Sequence, residues 1–373
     1  MPISRIDNEG LTGPIGGRRN IVINGAMNVC QRGTSTSGLG DSTNNGYFVQ
    51  DRFDMVFNTS GRFTLSQDSD APAGFGSAMK LACTTADTSI AADEYGIIAY
   101  QIEGQDLQHL HKGTSSAKEL TLSFYAKANA SKTYVVELRD YDNSRIMCKS
   151  FTVGTSYSRI ELTFPADTIG ELDNDINRSF AINIFVHGGS NFTSGTLGTT
   201  WASSVTANRA AGCDSFFSST SNTFFITGVQ LEVGSVATEF EHRSFGEEMT
   251  LCKRYYHRLE RNDSANDSAL NRGVASIRIG IAQTQNTTTA NSIINLPVAM
   301  RVNPTLDVSA AADIDYGVGT STPAATSVTI DSTTGIQTQL VKFTTTAGGL
   351  TLGHAGRLQI NAVGKHIAFD SEL

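Results

Sequence analysis

The sequence predicts an all-β protein with an N-terminal jelly-roll β-sandwich, one connecting α-helix and a smaller C-terminal β-sandwich. Three observations predict it. Charged residues make up only 17% of the 373 residues and the chain contains 35 glycines, a composition typical of short strands joined by tight turns. Short runs with apolar residues at every second position recur along most of the chain. One stretch near the two-thirds point has apolar residues at helical spacing instead.

The first sandwich is predicted over residues 19–244, as roughly nine or ten short strands. In "KELTLSFYAKA", Leu120, Leu122 and Phe124 share one face. Asp142 and Asn143 separate two alternating runs, which predicts a β-hairpin. The segment "EGQDLQHLHKG" is predicted to form a short helical turn at one rim. Residues 1–18 have no hydrophobic period, so we expect a polar docking arm there.

A helix is predicted over residues 245–262, because an a/d-type apolar stripe runs through it. The stripe consists of Phe245, Met249, Cys252, Tyr256 and Leu259. Ser244 is a suitable N-cap, and Glu247 and Glu248 fall in the first turn, where the helix dipole favours them. Two heptads are too short for an independent coiled coil. The stripe therefore either packs on its own β-domain or joins subunits as an oligomerisation helix.

The C-terminal domain is predicted over residues 263–373. Segments such as "VASIRIGIAQ" and "TQLVKFTTT" supply about six strands, enough for a smaller β-sandwich. A loose polar linker is expected near residues 260–273, where "RNDSANDSALNRG" has no apolar period.

The charge pattern excludes several function classes. The formal net charge is -8, and no lysine or arginine stripe is visible, so nucleic acid is not an expected partner. No window approaches the ~18 apolar residues of a membrane span, and no classical signal peptide opens the chain, so membrane insertion is not expected. Five widely spaced cysteines without a CxxC pair indicate reduced thiols and maturation in a cytoplasm.

The sequence contains no motif that assembles catalytic chemistry. Nucleophile-elbow and phosphate-binding patterns are absent, so no catalytic residue, cofactor or metal is predicted. Acidic pairs leave a polysaccharide depolymerase open as an alternative, although each pair also lies in a turn-like context that favours aspartate. These pairs are Asp93 with Glu94, Asp140 with Asp142, and Asp173 with Asp175. His109 and His111 are interpreted as rim histidines rather than metal ligands.

The single tryptophan, Trp201, lies in the small-residue segment "GTLGTTWASS". Aromatic rings on loops stack against sugar rings, so Trp201 is the candidate glycan-binding residue. The alternative is a loop tryptophan that covers the edge of the sandwich.

Three phrases resemble a family of tailed-bacteriophage virion proteins, the tail fibres and minor structural proteins. They are "NIVINGAMNVCQRGTS" (Asn20 to Ser35), "GVQLEVGSVATEFEHRSFGEEMTLCKRYY" (Gly228 to Tyr256) and "LPVAMRVNPTL" (Leu296 to Leu306). The segments "QIEGQDLQHL" and "KELTLSFYAKA" also resemble this family's carbohydrate-binding-type jelly roll. The family often has Asp-Arg-Trp where this chain has Asp51-Arg52-Phe53, which weakens the transfer of a sugar-stacking role to Phe53.

The resemblance implies a homotrimeric virion part that is assembled in the host cytoplasm. Its N-terminal arm would bind other virion proteins, and its β-domains would project outward and attach to a host-surface glycan or receptor. A tail fibre subunit is the expected function. A capsid head fibre or decoration protein and a baseplate or adaptor protein remain alternatives, and a depolymerase is a further one.

Overall fold

A computed structural model describes residues 18–260, 277–317, 323–331, 335–346, 349–361 and 364–373. The predicted docking arm up to residue 17, the end of the predicted helix at 261–262 and the predicted linker from 261 lie outside the described residues. The paired strands are antiparallel throughout the described part of the chain, which confirms the all-β prediction. The chain divides into two compact units, Met1–Glu248 with Leu373, and Met249–Glu372.

The first unit is a jelly-roll β-sandwich of two antiparallel sheets. Its strands are β1 (Ser35–Leu39), β2 (Gly46–Tyr47), β3 (Phe53–Asn58), β4 (Arg62–Asp68), β5 (Ala78–Thr85), β6 (Tyr95–Glu103), β7 (Leu120–Ala128), β8 (Lys132–Asp140), β9 (Arg145–Val153), β10 (Ser158–Phe164), β11 (Arg178–Gly188), β12 (Ala202–Ser203) and β13 (Thr223–Val233). The six-stranded sheet has the order β1-β4-β5-β13-β7-β10, and the seven-stranded sheet has the order β12-β9-β8-β11-β6-β3-β2. A short helix, α1 (Ser190–Thr193), follows β11.

The core lies between the two sheets. Leu120, Leu122 and Phe124 of β7 all belong to it, as their alternation predicts, and each is buried. The hairpin predicted at Asp142 and Asn143 joins β8 to β9, and the predicted helical turn is a 3-10 helix over Gly104–Leu110. The apolar alternation therefore predicted both the strands and the face that each buries.

The first two phrases of the resemblance meet in space against β13. Ile21 N donates to Leu231 O at 2.9 Å, and Val229 N donates to Gly25 O at 2.9 Å. A Cβ on Gly25 would lie 2.1 Å from Val229 O, so only glycine allows this close approach. We call these residues, together with Asn20, Val22, Glu241, Arg243 and Glu248, the clasp.

Charged side chains close the clasp. The Arg243 side chain is only 4% exposed and donates to Val22 O at 3.2 Å and to Glu248 Oε1 at 2.9 Å, and it also donates to Asn20 O. Glu241 Oε2 accepts the backbone N–H of Asn20 at 2.6 Å. The segment after β13 is thus tied back to the start of the described chain.

The second unit contains two further antiparallel sheets. Its elements begin within α2 (Phe245–Cys252) and continue as β14 (Tyr256–Glu260), β15 (Ile277–Thr284), β16 (Thr289–Asn295), β17 (Thr305–Val308), β18 (Ile314–Gly317), β19 (Ser327–Ile330), β20 (Thr338–Thr344), β21 (Ala355–Ile360) and β22 (His366–Asp370). The three-stranded sheet has the order β14-β22-β17 and the six-stranded sheet has the order β18-β21-β15-β16-β20-β19. One apolar cluster, which includes Met300, Phe343 and Phe369, forms its core.

The helix is shorter than predicted. It ends at Cys252, and Tyr256 and Leu259 lie in β14, which pairs along its whole length with β22. Pairing with an existing strand satisfies the backbone of five residues at once, and this tertiary gain outweighs a helical spacing that covers only two heptads. The predicted helix over residues 245–262 is therefore wrong from Lys253 onward.

The predicted oligomerisation stripe consequently does not lie on one helix. Cys252 and Tyr256 are buried within the chain itself, and the Tyr256 hydroxyl donates to Asp307 Oδ2 at 3.0 Å. Met249 is half-buried, whereas Phe245 is 58% exposed. A role of the stripe in subunit association remains a prediction, and Phe245 is its most accessible member.

Candidate functional site

A groove with a volume of about 590 Å³ lies on the outer face of the seven-stranded sheet. This face points away from the core between the sheets. The groove is lined by Asp54, Tyr95, Gln101, Arg139, Asn183 and Arg209, among others. Both aromatic rings and planar hydrogen-bonding groups thus face one open depression.

Strand register brings residues that are distant in sequence into rows across the groove. Asp54 of β3 pairs with Ala99 of β6, Ala99 pairs with Asn183 of β11, and Asn183 pairs with Glu137 of β8. Directly opposed residues on antiparallel strands point to the same face. The polar residues Asp54, Asn183 and Glu137 therefore share the groove face. In the next row, Gln101 and Arg139 flank the small Ala181.

Hydrogen bonds fix the floor of the groove. Gln101 Nε2 donates to Asp54 Oδ2 at 2.8 Å, and Asn183 Nδ2 donates to Glu137 Oε1 at 2.7 Å. Arg209 forms a two-pronged ion pair with the buried Glu137, through Nε at 2.6 Å and Nη2 at 2.8 Å. Burial alone would lower the pKa of Arg209, but the hydrogen bond and the charge of Glu137 raise it above its usual value.

The segment after β11 forms a wall of the groove. It packs on the outer face of the sheet, where Ala210 joins Phe185, Val135 and neighbouring residues in a small separate apolar cluster. Phe192 meets the edge of Tyr95 with ring centroids 5.4 Å apart. The wall and the sheet together place the Tyr95 ring in the groove.

Three side chains form a cationic end of the groove. Arg178 Cζ lies 3.7 Å from the centroid of the Tyr141 ring, and Arg139 Cζ lies 4.7 Å from it. Arg178 Nη1 donates to Gln101 Oε1 at 3.3 Å. Within the described ranges, neither arginine forms an ion pair with a carboxylate, and Arg139 Nε is buried without a hydrogen-bond partner. We call Arg139, Tyr141 and Arg178 the arginine pair with its tyrosine.

Trp201, the glycan-binding residue predicted from sequence, does not line the groove. Its Nε1 donates to Pro165 O at 2.8 Å, and its ring packs partly buried against the core, 6.1 Å from Phe180. Lys112 Nζ lies 5.7 Å from the same ring. Trp201 occupies the edge-covering position that the sequence left open, and its glycan role remains a prediction.

The paired acids make local structural bonds. Asp140 is buried and pairs with Lys112 at 2.5 Å. Asp142 Oδ2 accepts the N–H of Asp173 at 2.9 Å, and Asp175 accepts the N–H of Asn177 at 2.8 Å. The carboxylates of Asp140, Asp142 and Asp175 are therefore used by the fold.

One buried cluster has side chains of the kind that bind metals. Asp87, Glu94 and His187 place one ligand atom each within 4.8 Å of one another. Burial, together with a hydrogen bond and the charge of Asp87, raises the pKa of Glu94, and burial lowers the pKa of His187 to about 4. Ser215 Oγ lies 2.9 Å from His187 Nδ1. These shifts favour a proton shared by the two carboxyl groups beside a neutral imidazole.

The groove residues were not predicted from the sequence. They come from strands that are separated by tens of residues, and the strand order that joins them is not visible in an alternating pattern. The available signal was local: Arg139 and Tyr141 occupy alternate positions in "ELRDYD", between residues that face inward.

Comparisons with known proteins give distant likenesses only. No protein-family model matches the chain, and no curated protein matches it. A CBM4 structure aligns with 11% identity and a TM-score of 0.29, covering 57% of this chain and 98% of the other. A family 11 carbohydrate-binding module of the Clostridium thermocellum cellulase Lic26A-Cel5E aligns with 15% identity and a TM-score of 0.26, covering 56% and 98%.

The enzymatically active domain of tailspike protein 4 of bacteriophage CBA120 also aligns. It shows 12% identity and a TM-score of 0.29, with 58% of this chain and 21% of that chain covered. This chain therefore spans about a fifth of the tailspike domain's length. At such TM-scores and identities none of these likenesses carries a functional conclusion, and the function must be inferred from the groove.

Proposed function

We propose that the groove binds carbohydrate and that the chain is a glycan-binding subunit of a bacteriophage virion, most closely a tail fibre. The observation that carries the carbohydrate part is the groove itself. It places aromatic rings and planar hydrogen-bonding side chains together on the exposed face of a rigid sheet.

Each component of the groove suits a sugar. The apolar C–H face of a sugar ring packs on an aromatic ring, and Tyr95 is half-buried there, whereas the Tyr141 ring holds Arg139 and Arg178. Sugar hydroxyl groups pair with amides and guanidinium groups, which Gln101, Asn183 and Arg139 provide. The volume of about 590 Å³ lies within the ~300–1,000 Å³ of ordinary ligand sites.

The two acids at the floor of the groove, Glu137 and Asp54, are engaged in hydrogen bonds within the protein. Glu137 is fully engaged by Arg209 and Asn183, and Asp54 accepts from Gln101. A glycosidase needs one carboxyl group that donates a proton and a second that attacks or activates water. These two acids are committed to the floor of the groove, so we propose binding without hydrolysis.

The virion part of the proposal rests on the three phrases that resemble phage tail fibres. A homotrimer that docks through the N-terminal arm and attaches to a host-surface glycan would present three grooves. Repeated weak contacts of this kind raise avidity without a strong individual site. Assembly in the host cytoplasm is consistent with the free cysteines of the described residues.

Variants of the two groove tyrosines test the carbohydrate part. Tyr95→Ala and Tyr141→Ala should each weaken binding to a recognised polysaccharide by about tenfold, or about 1–2 kcal/mol. The first removes a stacking surface, and the second removes the ring that orients Arg139 and Arg178. Affinity electrophoresis or calorimetry measures the change. Tyr157→Ala is the matched control, because Tyr157 precedes β10 of the other sheet and should leave binding unchanged. Equal losses in all three variants would contradict the proposed site.

Localisation and sedimentation test the virion part. Antibody-gold should label the tail of intact particles, whereas label on the capsid would favour the head-fibre alternative and label at the baseplate would favour the adaptor alternative.

Equilibrium sedimentation should give three times the chain mass. Phe245→Asp should lower that mass if the exposed side of α2 joins subunits. A monomer that fails to bind host cells would overturn this part. New reducing ends from host polysaccharide would indicate a depolymerase.

A further inference from the structure

We infer that the groove takes an acidic glycan and that a carboxylate-bearing sugar lies against Arg139 and Arg178. This inference deepens the proposed function and rests on it. The observation behind it is the arginine pair with its tyrosine, two guanidinium groups at one end of the groove that form no ion pair with a carboxylate among the described residues.

The charges around the groove favour an anion at this end. Four charged side chains line it: Asp54, Arg139, Arg178 and Arg209. Arg209 is already paired with the buried Glu137, and Asp54 accepts a hydrogen bond from the amide of Gln101. Arg139 and Arg178 are left without an acidic partner among the described residues, in a chain whose formal net charge is -8. Unpaired cations concentrated in a groove of an acidic protein attract an anionic ligand.

The geometry favours a planar carboxylate. Tyr141 stacks against both guanidinium groups, at 3.7 Å and 4.7 Å between Cζ and the ring centroid. Stacking holds a guanidinium plane while leaving its edge N–H groups free, and these match the two oxygens of a carboxylate. Gln101 fixes Arg178 further through its Oε1 at 3.3 Å. The pair is therefore oriented before a ligand arrives.

The arginine pair adjoins the neutral part of the groove. Ala181 is the Cα partner of both Gln101 and Arg139 and is itself fully buried. Gln101 and Arg139 both line the groove, so an amide and a guanidinium group face it from the same row. The carboxylate position is thus continuous with the neutral part of the groove.

A panel of immobilised polysaccharides tests the inference. It contains polygalacturonate, alginate and hyaluronan, each beside its carboxyl-reduced form, together with neutral glucan, galactan and mannan and one sulfated and one phosphorylated polymer. The full chain should bind at least one carboxylated polymer about tenfold more tightly than its reduced form, because reduction removes the charge and keeps the ring. Raising the salt concentration should weaken only the carboxylate-dependent part.

Two substitutions assign the preference to the arginine pair. The double variant Arg139→Gln with Arg178→Gln should bind the carboxylated and reduced forms equally, because glutamine keeps hydrogen-bonding groups for the sugar hydroxyls but carries no charge. The single variant Arg178→Gln should lose part of the preference. Because Arg178 is exposed, this variant still tests the inference where the double variant fails to fold. Lys80→Gln removes one positive charge from the other sheet and should retain the full preference.

The outcomes separate the inference from the proposed function. Equal binding of wild type to acidic and reduced forms, or binding to neutral polymers alone, overturns the acidic glycan and leaves carbohydrate binding standing. Binding only to the sulfated or phosphorylated polymer overturns the carboxylate. A double variant that keeps the wild-type preference overturns the role of the arginine pair. No binding to any member of the panel overturns the proposed function and the inference together.

Discussion

Replacing Arg209 by methionine should destabilise the N-terminal unit by about 3–5 kcal/mol. The arginine meets a fully buried Glu137 through two bonds of 2.6 and 2.8 Å, and its own side chain is 12% exposed. Methionine keeps much of the apolar contact with Phe185 but leaves the carboxylate buried without its cation. Removing one member of a buried ion pair costs about 3–5 kcal/mol, whereas a surface pair contributes about 0–1 kcal/mol.

The single tryptophan, Trp201, allows the unfolding of the first unit to be measured separately. It lies in the first unit, so urea unfolding followed by tryptophan fluorescence reports on that unit alone. Lys80→Met breaks the partly exposed pair with Asp68 and is the control, with an expected loss of about 1 kcal/mol or less. Adding Glu137→Gln to the Arg209→Met variant should restore most of the stability. A loss below about 1 kcal/mol for the single variant, or no recovery in the double variant, would refute the buried-charge reasoning.

Three further perturbations test the fold. Gly25→Ala should cost roughly 1–3 kcal/mol, because its Cβ would lie 2.1 Å from Val229 O; Gly76→Ala, where a Cβ meets nothing, should cost far less in the same urea measurement. Burial lowers the pKa of His257 from 6.5 to about 4, so the neutral form favours the fold: about 3 kcal/mol, present above pH 6.5, should be lost as the pH falls toward 4. Calorimetry should show this slope for the second unit in wild type but not in His257→Gln, whereas the slope that the buried His187 gives the first unit should persist in both. Burial raises the pKa of Cys148 to about 12, so mass spectrometry should find it alkylated by iodoacetamide at pH 8 only in urea, and rapid alkylation of the native protein would contradict the buried site.

The sequence predicted what depends on short-range pattern. Alternation identified the strands of both units and the inward face of β7, and the dipeptide Asp142-Asn143 identified the β8–β9 hairpin. The helix was predicted too long, because a spacing of four and three residues also fits a short helix followed by a strand. Whether Tyr256 continues α2 depends on the presence of β22, more than a hundred residues later.

The groove depends on pairing between strands that are distant in the sequence, and it could therefore not be predicted from the sequence. Asp54, Asn183 and Glu137 become neighbours only through the order β3-β6-β11-β8, in which no two adjacent strands are consecutive in the chain. The placement of Trp201 also depends on distant residues, Pro165 and Phe180. A lone tryptophan among small residues suggests an exposed stacking platform, but its indole N–H and one face are used by the fold.

The resemblance and the groove occupy different parts of the molecule, and this separation decides what each can predict. Two of the three resembling phrases meet at the clasp, where Asn20, Gly25 and Arg243 close the first unit. The clasp constrains backbone approach and buried charge, so it specifies architecture. Arg139 and Arg178 lie outside all three phrases, on strands whose outward positions can change without disturbing the core or the clasp. Two proteins that share these phrases can therefore bind different ligands, and the ligand of this chain has to be inferred from its groove.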